Sequence, residues 1–255
     1  MKDVLLGYRV DHDHPESFAD GLFTAIFASG EPPMGCRWLA CLNPHSYAVA
    51  KTDPGFAEAL HGADWLVPDG AGILLGSRML GGRIRARITG SDVFEGLHRR
   101  MDRAGGGSVF FLGSTDDTLA AIRRKMAVDY PNIRVAGTYS PPFKADYSEA
   151  ELDAMCAAIS AAAPDVLWVG MTAPKQEKWI HANRHRLNVR FAGAIGAVFD
   201  FYVGRVKRSH PMFQRLGLEW LPRLIQQPRR LWRRMFVSAP VFLADVVRAR
   251  LRGGA

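Results

Sequence analysis

The sequence predicts an α/β fold in which a mostly parallel sheet carries helices on both faces. Short apolar runs alternate along the chain with amphipathic stretches of helical length, and this alternation is typical of parallel strands joined by helices. A chain of 255 residues with 48% hydrophobic and 23% charged residues is large enough for one α/β domain with a buried core, with or without a small appendage.

Seven apolar runs are predicted to be strands, and four amphipathic stretches are predicted to be helices. The strands are Val4–Val10, Trp38–Leu42, Trp65–Val67, Ser108–Leu112, Arg134–Gly137, Val166–Gly170 and Val189–Ala194. The helices are Ser17–Ala28, Thr118–Ala127, Glu149–Ala162 and Lys175–His185. In such sheets ligands bind at the carboxyl ends of the strands.

Loops rich in Gly or Asn follow several of these strands. They begin at Asn43, Pro68, Leu112 and Gly170. Pro174 is predicted to be the first residue of a helix. The free backbone N–H groups of that helix start would face the loop, where they form a natural site for a pyrophosphate.

The positive charge is concentrated in the last fifth of the chain. Between Arg205 and Arg252 there are twelve Lys and Arg residues and only two acids. This stretch therefore carries a net charge of +10, against +8 for the whole chain. Such a basic tail favours phosphate groups, whether on a lipid, a nucleic acid or a small ligand. The predicted domains are a core of residues 1–203 and a basic helical appendage of residues 204–255.

The composition predicts a cytoplasmic protein. Cys36, Cys41 and Cys156 form neither a CxxC pair nor a zinc spacing, which favours reduced thiols. At the N-terminus the apolar stretch is too short, and charged residues follow it too early, for a signal peptide. The apolar stretch Phe236–Ala244 is far shorter than the roughly 20 residues that a membrane span needs, so any membrane contact would be peripheral.

Asp69 is a candidate general base, because it follows a short strand and is flanked by glycines that let a ligand approach the backbone. On the pattern alone, a helix cap at Asp69 is slightly favoured. Gly70–Gly76 also matches a GxGxxxG variant of a dinucleotide-binding motif. A dehydrogenase of that type needs an acid at the end of the next strand, about 20 residues later, whereas the sequence near Asp92 is typical of a helix start.

Other catalytic patterns are weak. Asp11-His12-Asp13 contains a DxD that could hold a divalent cation, but its position favours a solvated turn. His181 and His185 are spaced for a metal on a helix, but no HExxH pattern accompanies them, so surface histidines are expected. No nucleophilic Ser or Cys motif is present.

The tail places Arg223, Arg230 and Arg233 on one helical face, although Pro228 interrupts the run. Leucines and aromatic residues interleave with the arginines, a composition that fits a membrane interface. The alternative is an ordinary surface helix with solvated arginines.

Two other functions stay open. The basic tail could bind nucleic acid, although no helix-turn-helix, zinc or RNP pattern is present. The chain could also be a nicotinamide-dependent oxidoreductase.

Seven segments, taken together, resemble the WecG/TagA/CpsF family of bacterial glycosyltransferases, which is glycosyltransferase family 26. The resemblance covers nearly the whole chain, and the PKQEKW and GLEWLPRL…PRRLWRR blocks are highly specific in this order. The segments are Leu42–Lys51, Val67–Ile73, Arg87–Phe94, Phe111–Ser114, Val169–Ile180, Gly196–Pro211 and Gly217–Arg234.

The resemblance implies a Rossmann-like core, a C-terminal appendage that docks on the membrane and completes the active site, and a homo-oligomer. It implies inverting transfer of a sugar from a UDP-sugar to a polyprenyl-diphosphate-linked saccharide, for cell-surface polysaccharide synthesis. The sugar would be N-acetylmannosamine, its uronic acid or glucose. No metal, other cofactor or nucleic acid is implied.

The resemblance also implies roles for individual residues. Asp69 is implied as the catalytic base, and the other implied residues bind substrate. Those others are Asn43, Arg87, Gly113, Gly170, Gln176, Arg223, Arg230 and Arg233. The chain departs from the family pattern at Cys41, where many members have Thr, and at Met171-Thr172-Ala173, where a Leu-Gly-Ser type of loop is more usual.

Overall fold

The computed structural model describes residues 1–28, 35–206 and 232–253, and the predicted α/β architecture is confirmed. A short antiparallel hairpin, β1 (Lys2–Leu5) and β2 (Tyr8–Asp11), precedes a six-stranded parallel sheet with the spatial order β4-β3-β8-β7-β5-β6. The sheet strands are β3 (Arg37–Leu42), β4 (Trp65–Pro68), β5 (Gly107–Gly113), β6 (Ile133–Tyr139), β7 (Val166–Gly170) and β8 (Phe191–Ala194).

Helices cover both faces of the sheet. One face carries α1 (Pro15–Phe27), α5 (Gly90–Arg103), α6 (Asp116–Asp129) and α9 (Val198–Tyr202). The other carries α2 (Pro44–Ala50), α3 (Pro54–His61), α4 (Ala71–Met79), α7 (Glu149–Ala162), α8 (Lys175–Asn183) and α10 (Ala239–Leu251). Strand side chains alternate between the two apolar cores, as Phe110 and Phe111 do.

Local sequence signals set the helix starts. Asn43, Thr89 and Ser148 each form a reciprocal capping box at the start of α2, α5 and α7. The predicted helix Glu149–Ala162 is confirmed. Pro174, predicted as the first helical residue, is instead the N-cap of α8.

The N-terminal hairpin corrects two predictions. Val4–Val10 is not one strand, because Leu6 and Gly7 have φ values of +48° and +88° and reverse the chain. Asp11 is not in a solvated turn. It is 4% exposed and accepts a hydrogen bond from the Leu66 backbone at 3.0 Å, and its burial raises its pKa to about 6. Asp13 pairs with the N-terminal ammonium group.

The two histidines whose spacing could suit a metal, His181 and His185, have different surroundings. His185 is exposed, as expected. His181 is half-buried beside Trp38, and its Nδ1 lies 2.7 Å from an Arg184 guanidinium nitrogen. Within the three described ranges, no group of three or more His, Cys, Asp or Glu could hold a metal ion.

The described part of the C-terminal segment is helical, as predicted, and packs on the core. A π-helical turn, Arg234–Ser238, leads directly into α10. Phe242 and Val246 are buried against α4, where the absence of a side chain at Gly76 leaves room for the Phe242 ring. Among the described helices, none has the length and apolar character needed to cross a bilayer.

Asp245 anchors α10 to α2. Its carboxylate accepts hydrogen bonds from the Tyr47 hydroxyl at 2.9 Å, from Lys51 and from Arg248 on its own helix. Burial alone raises the pKa of this carboxyl, but the three hydrogen bonds outweigh burial and lower the pKa overall. The ionised form therefore stabilises the docked helix above the pKa of an unfolded Asp.

Replacing Asp245 by Asn should loosen α10. Loss of charge-assisted hydrogen bonds in a partly buried site costs roughly 1–3 kcal/mol, so backbone amides of α10 should exchange with deuterium faster by a corresponding factor. Asp146→Asn, which changes an exposed loop carboxylate, serves as the control and should leave α10 exchange unchanged. Equal protection of α10 in the wild type and in Asp245→Asn would contradict this account.

Candidate active site

A cavity of about 220 Å³ lies at the carboxyl ends of β3, β4, β7 and β8. Parallel strands end at the same edge, so residues that follow different strands meet there. Of the residues predicted from sequence, Asp69, Asn43, Arg87 and Gln176 line this cavity together. The same wall includes Arg234 of the C-terminal segment.

Asp69 directly follows the carboxyl end of β4 and does not cap the next helix. Its backbone N–H donates to the Leu42 carbonyl at 2.8 Å, which continues the ladder between β3 and β4 past the strand ends. Gly70, with φ of +105°, is the N-cap of α4, and no side chain caps that helix. The cap interpretation of Asp69 is therefore wrong, and its half-buried carboxylate lines the cavity.

Asn43, at the end of β3, both caps α2 and lines the cavity. Its side-chain oxygen accepts hydrogen bonds from the backbone of His45 at 3.0 Å and of Ser46 at 2.9 Å. The Ser46 hydroxyl accepts in turn from the Asn43 backbone at 2.7 Å. The cap occupies the amide oxygen, so a contact from Asn43 to a ligand would come from its NH₂ group.

The start of α5 forms another part of the wall. Arg87, Thr89, Gly90, Ser91 and Asp92 all line the cavity. The Asp92 carboxylate accepts from the Thr89 backbone at 2.8 Å and from the Thr89 hydroxyl at 2.7 Å, so it is committed to the capping box. The starts of α5 and α8 both border the cavity and present positive dipole ends to it.

Gln176 and Glu177, in the first turn of α8, line the cavity. Both are buried, at 4% and 2% exposure. The Gln176 side-chain oxygen accepts from the Gly196 backbone at 2.9 Å, and its amide nitrogen donates to Glu177 Oε1 at 2.9 Å. Burial raises the pKa of Glu177 to about 7, although the Gln176 hydrogen bond opposes the shift.

Cys41 also lines the cavity, where a Thr was expected from the family pattern. Burial raises the pKa of its thiol well above the usual value, and the nearby Asp69, Glu177 and Asp92 raise it further. The thiol is therefore neutral near pH 7. Its Sγ lies 4.0 Å from the Ala194 carbonyl, a weak contact.

The C-terminal segment places Arg234, and not Arg233, at the cavity. Arg234, Ser238, Phe242 and Val246 are spaced by four residues and form the core-facing side of this segment. Arg233, predicted to bind substrate, is exposed and does not line the cavity.

Two further predicted arginines, Arg223 and Arg230, lie outside the described residues.

A second contact between the C-terminal segment and α2, separate from the Asp245 ion pair, is polar and uncharged. His45 Nδ1 lies 2.8 Å from the Ser238 hydroxyl. Burial first, and then the charges of Arg234 and Arg233, lower the pKa of His45 to about 4. The imidazole is therefore neutral near pH 7, so it adds no charge beside Arg234.

Gly113 and Gly170, predicted to bind substrate, do not line the cavity. A Cβ atom on Gly113, whose φ is +116°, would lie 2.5 Å from the Gly170 carbonyl oxygen. A Cβ atom on Gly170 would collide with the Phe199 ring. These glycines allow close packing within the protein at the strand ends.

Three acidic or basic residues of the cavity wall are not among the site residues predicted from sequence: Asp92, Glu177 and Arg234. Glu177 directly follows Gln176 in the PKQEKW motif, and its acidic character was the signal. For Arg234 the signal was the four-residue spacing with Phe242 and Val246.

The chain is similar to proteins of named activity. A model described as "Glycosyl transferase WecG/TagA/CpsF family" matches residues 4–255. Three relatives share the name N-acetylglucosaminyldiphosphoundecaprenol N-acetyl-beta-D-mannosaminyltransferase. That of Bacillus spizizenii strain W23 is 33% identical over 211 residues, covering 83% of this chain and 79% of the relative. That of Bacillus subtilis strain 168 is 32% identical (82% and 78% covered), and that of Staphylococcus aureus strain MW2 is 26% identical (84% and 80% covered).

The family match spans almost the entire chain, and the relatives align over about four fifths of it. Six of the seven segments that resemble the family pattern contribute residues to the cavity wall, and only Phe111–Ser114 does not. The chain therefore belongs to the WecG/TagA/CpsF family of glycosyl transferases.

Proposed function

We propose that this protein transfers a sugar of the N-acetylmannosamine type from a UDP-sugar to a polyprenyl-diphosphate-linked acceptor saccharide, with inversion at the anomeric carbon. Relatives that are 32–33% identical carry names that state a mannosaminyl transfer to a diphosphoundecaprenol-linked sugar. The observation that carries the proposal is that Asp69, Arg87 and Arg234 line one cavity. A carboxylate for the acceptor and cations for a diphosphate are what this reaction requires.

Asp69 is the general base in this proposal. Two other carboxyl groups line the cavity, but Asp92 is committed to its cap and Glu177 is buried with a raised pKa. Asp69 removes the proton from the acceptor hydroxyl, and the resulting oxygen attacks the anomeric carbon from the side opposite UDP. The bond to UDP breaks, UDP leaves with the electron pair, and the proton stays on Asp69.

The leaving diphosphate gains negative charge, which the cavity can stabilise without a metal. Arg87 and Arg234 supply guanidinium groups, and α5 and α8 supply helix starts with positive dipole ends. Preorganised cations and dipoles of this kind stabilise a developing anion strongly because they need no reorganisation. The proposal therefore gives no role to a divalent cation.

An outward face of the C-terminal segment suits a membrane surface. Phe236, Leu243, Val247 and Leu251 are exposed and spaced by seven, four and four residues, on the side opposite the buried Phe242. Arg248, Arg250 and Arg252 accompany them. An apolar helix face with adjacent cations binds anionic lipid interfaces, where a polyprenyl-linked acceptor resides. The cytoplasmic, peripheral location and the homo-oligomer remain predictions.

Asp69→Asn should reduce kcat by roughly 10²–10⁴-fold, the usual contribution of a general base, without unfolding the protein. The assay uses UDP-N-acetylmannosamine, a synthetic lipid-diphosphate acceptor and EDTA throughout. Asp146→Asn is the matched control and should keep the wild-type rate. An active Asp69→Asn variant would exclude Asp69 as the base, and a wild-type rate that required added Mg²⁺ would contradict the metal-independent mechanism.

Arg234 and Arg233 are adjacent arginines with different positions, so they form a matched pair. Arg234→Ala should lower kcat/KM by roughly 10–100-fold, the effect of losing a charge-assisted hydrogen bond of about 1.5–3 kcal/mol. Arg233→Ala should lower it less than about 3-fold, as for a solvated surface charge. A larger loss in Arg233→Ala than in Arg234→Ala would show that the side chains exchange places in the working enzyme.

The double variant Phe236→Glu/Val247→Glu should lose affinity for vesicles of phosphatidylglycerol and phosphatidylcholine, because it places two carboxylates on the apolar face. Val128→Glu changes an exposed apolar residue of α6 on the core and should bind like the wild type. Co-sedimentation measures both. Unchanged vesicle binding in the double variant, or tighter binding of the wild type to duplex DNA than to vesicles, would refute the membrane assignment.

A further inference from the structure

The buried carboxyl of Glu177 has no role in the mechanism above, yet it forms part of the cavity wall. Its Oε1 accepts one hydrogen bond from Gln176, whereas Oε2 is buried with no hydrogen-bond partner in the described ranges. An ionised carboxylate needs several donors when it is removed from water, and an uncompensated buried charge costs far more than one unsatisfied hydroxyl. This environment favours the protonated acid over the anion.

Hydrogen bonds fix how Glu177 and Gln176 face each other. The Gly196 backbone N–H can only donate, so the Gln176 group that it contacts is the side-chain oxygen. The Gln176 NH₂ group therefore faces Glu177 Oε1, which accepts at 2.9 Å. Gly196 belongs to the loop after β8, which lines the cavity. Glu177 thus holds the orientation of Gln176, and Gln176 holds this loop.

The charged groups of α8 and of the adjacent α3 are paired elsewhere. Lys175 donates to the backbone carbonyl of Lys144, in the loop between β6 and α7. Lys178 pairs with Asp53 at 3.1 Å, and His181 lies 3.5 Å from Glu58. Among the described residues, no ion pair is made to Glu177 from either helix.

The charges of the other ionisable groups in the described cavity wall balance. Arg87 and Arg234 supply two positive charges, Asp69 and Asp92 supply two negative charges, and the Cys41 thiol is neutral. With Glu177 protonated, these groups sum to zero. With Glu177 ionised, they sum to −1, and an incoming diphosphate is repelled.

We propose that Glu177 is a positioning residue that must keep its proton for the sugar donor to bind, because the neutral acid orients Gln176 and keeps the diphosphate site free of excess negative charge. This inference rests on the function proposed above and adds a proton requirement to that same site. The proton stays on the Glu177 carboxyl throughout and does not enter the reaction.

The proton requirement sets a pH dependence. Burial raises the pKa of Glu177 to about 7, against an ordinary Glu value near 4.3. The neutral form is therefore present below pH 7 and is lost as the pH rises through that value. If only the neutral form binds donor, donor affinity falls about tenfold per pH unit above the pKa. The folded chain also holds this proton when the unfolded chain has released it, so Glu177 lowers stability as the pH rises from about 4.3 to 7.

Glu177→Gln tests the proposal, since the amide resembles the protonated acid and can still accept from Gln176. Binding of UDP-N-acetylmannosamine is measured by calorimetry between about pH 5.5 and 8.5, a range in which its diphosphate diester keeps a constant charge. The wild type should bind about 15-fold more weakly at pH 8.5 than at pH 7, where about half of the Glu177 carboxyl groups are protonated. Glu177→Gln should remove this decline. Glu177→Ala should bind weakly at every pH, because Gln176 loses its acceptor.

Glu58→Gln, at an exposed carboxylate of α3, is the matched control and should keep the wild-type pH profile. An unaltered decline in Glu177→Gln would assign the titration to another group. Loss of donor binding at all pH values in a Glu177→Gln protein that still unfolds at the wild-type temperature would show that the ionised carboxylate is required. Either result overturns the proposal.

Stability measurements separate this inference from the proposed function. Wild-type protein that binds no UDP-sugar at any pH would contradict the proposed donor. Without ligand, denaturant midpoints should still show the wild type losing stability relative to Glu177→Gln as the pH rises from about 5 to 7. A constant difference over that range would mean that Glu177 does not hold its proton, which overturns the inference whatever the donor is.

Discussion

The parallel register of the central strands is the constraint on which the site depends. Leu42 of β3 lies beside Pro68 of β4, and Val169 of β7 lies beside Ala194 of β8. The ladder continues one residue beyond both pairs, through the Asp69 N–H to the Leu42 carbonyl and the Ile195 N–H to the Val169 carbonyl. Strand ends held level in this way bring together side chains that are far apart in the sequence. A one-residue slip would turn the residues beyond the strands away from the cavity.

Three carboxyl groups line one small cavity, and their surroundings give them different properties. Asp92 has its hydrogen-bonding capacity taken by the Thr89 cap. Glu177 is buried and short of donors. Asp69 follows the strand directly and is half-exposed. Such divergence is what our proposal requires, namely a neutral acid at Glu177 close to a carboxylate base at Asp69.

Much of the fold and part of the site could be predicted from sequence. Strand runs such as Val166–Gly170 carry a strong apolar signal, and Asp69 and Asn43 each follow a strand. Gly113 and Gly170 could not be assigned from sequence, because a glycine that admits a ligand and one that admits a neighbouring backbone or ring look alike.

Two differences between the predicted and the observed positions of residues have physical causes. Which of the adjacent Arg233 and Arg234 side chains faces the cavity depends on the rotation of their helix, and a π-helical turn at Arg234–Ser238 alters that rotation. Asp11 was misjudged because its burial depends on a hairpin packing beside β4.

The contact between Gly76 and Phe242 has a consequence for how this sequence can vary. A Cβ atom at position 76 would lie 2.7 Å from the tip of the Phe242 ring, closer than two carbon atoms tolerate. Alanine at 76 is therefore compatible with a seated α10 only if position 242 becomes smaller. Although 166 positions separate them in the chain, the two sites should change as a pair among homologous sequences.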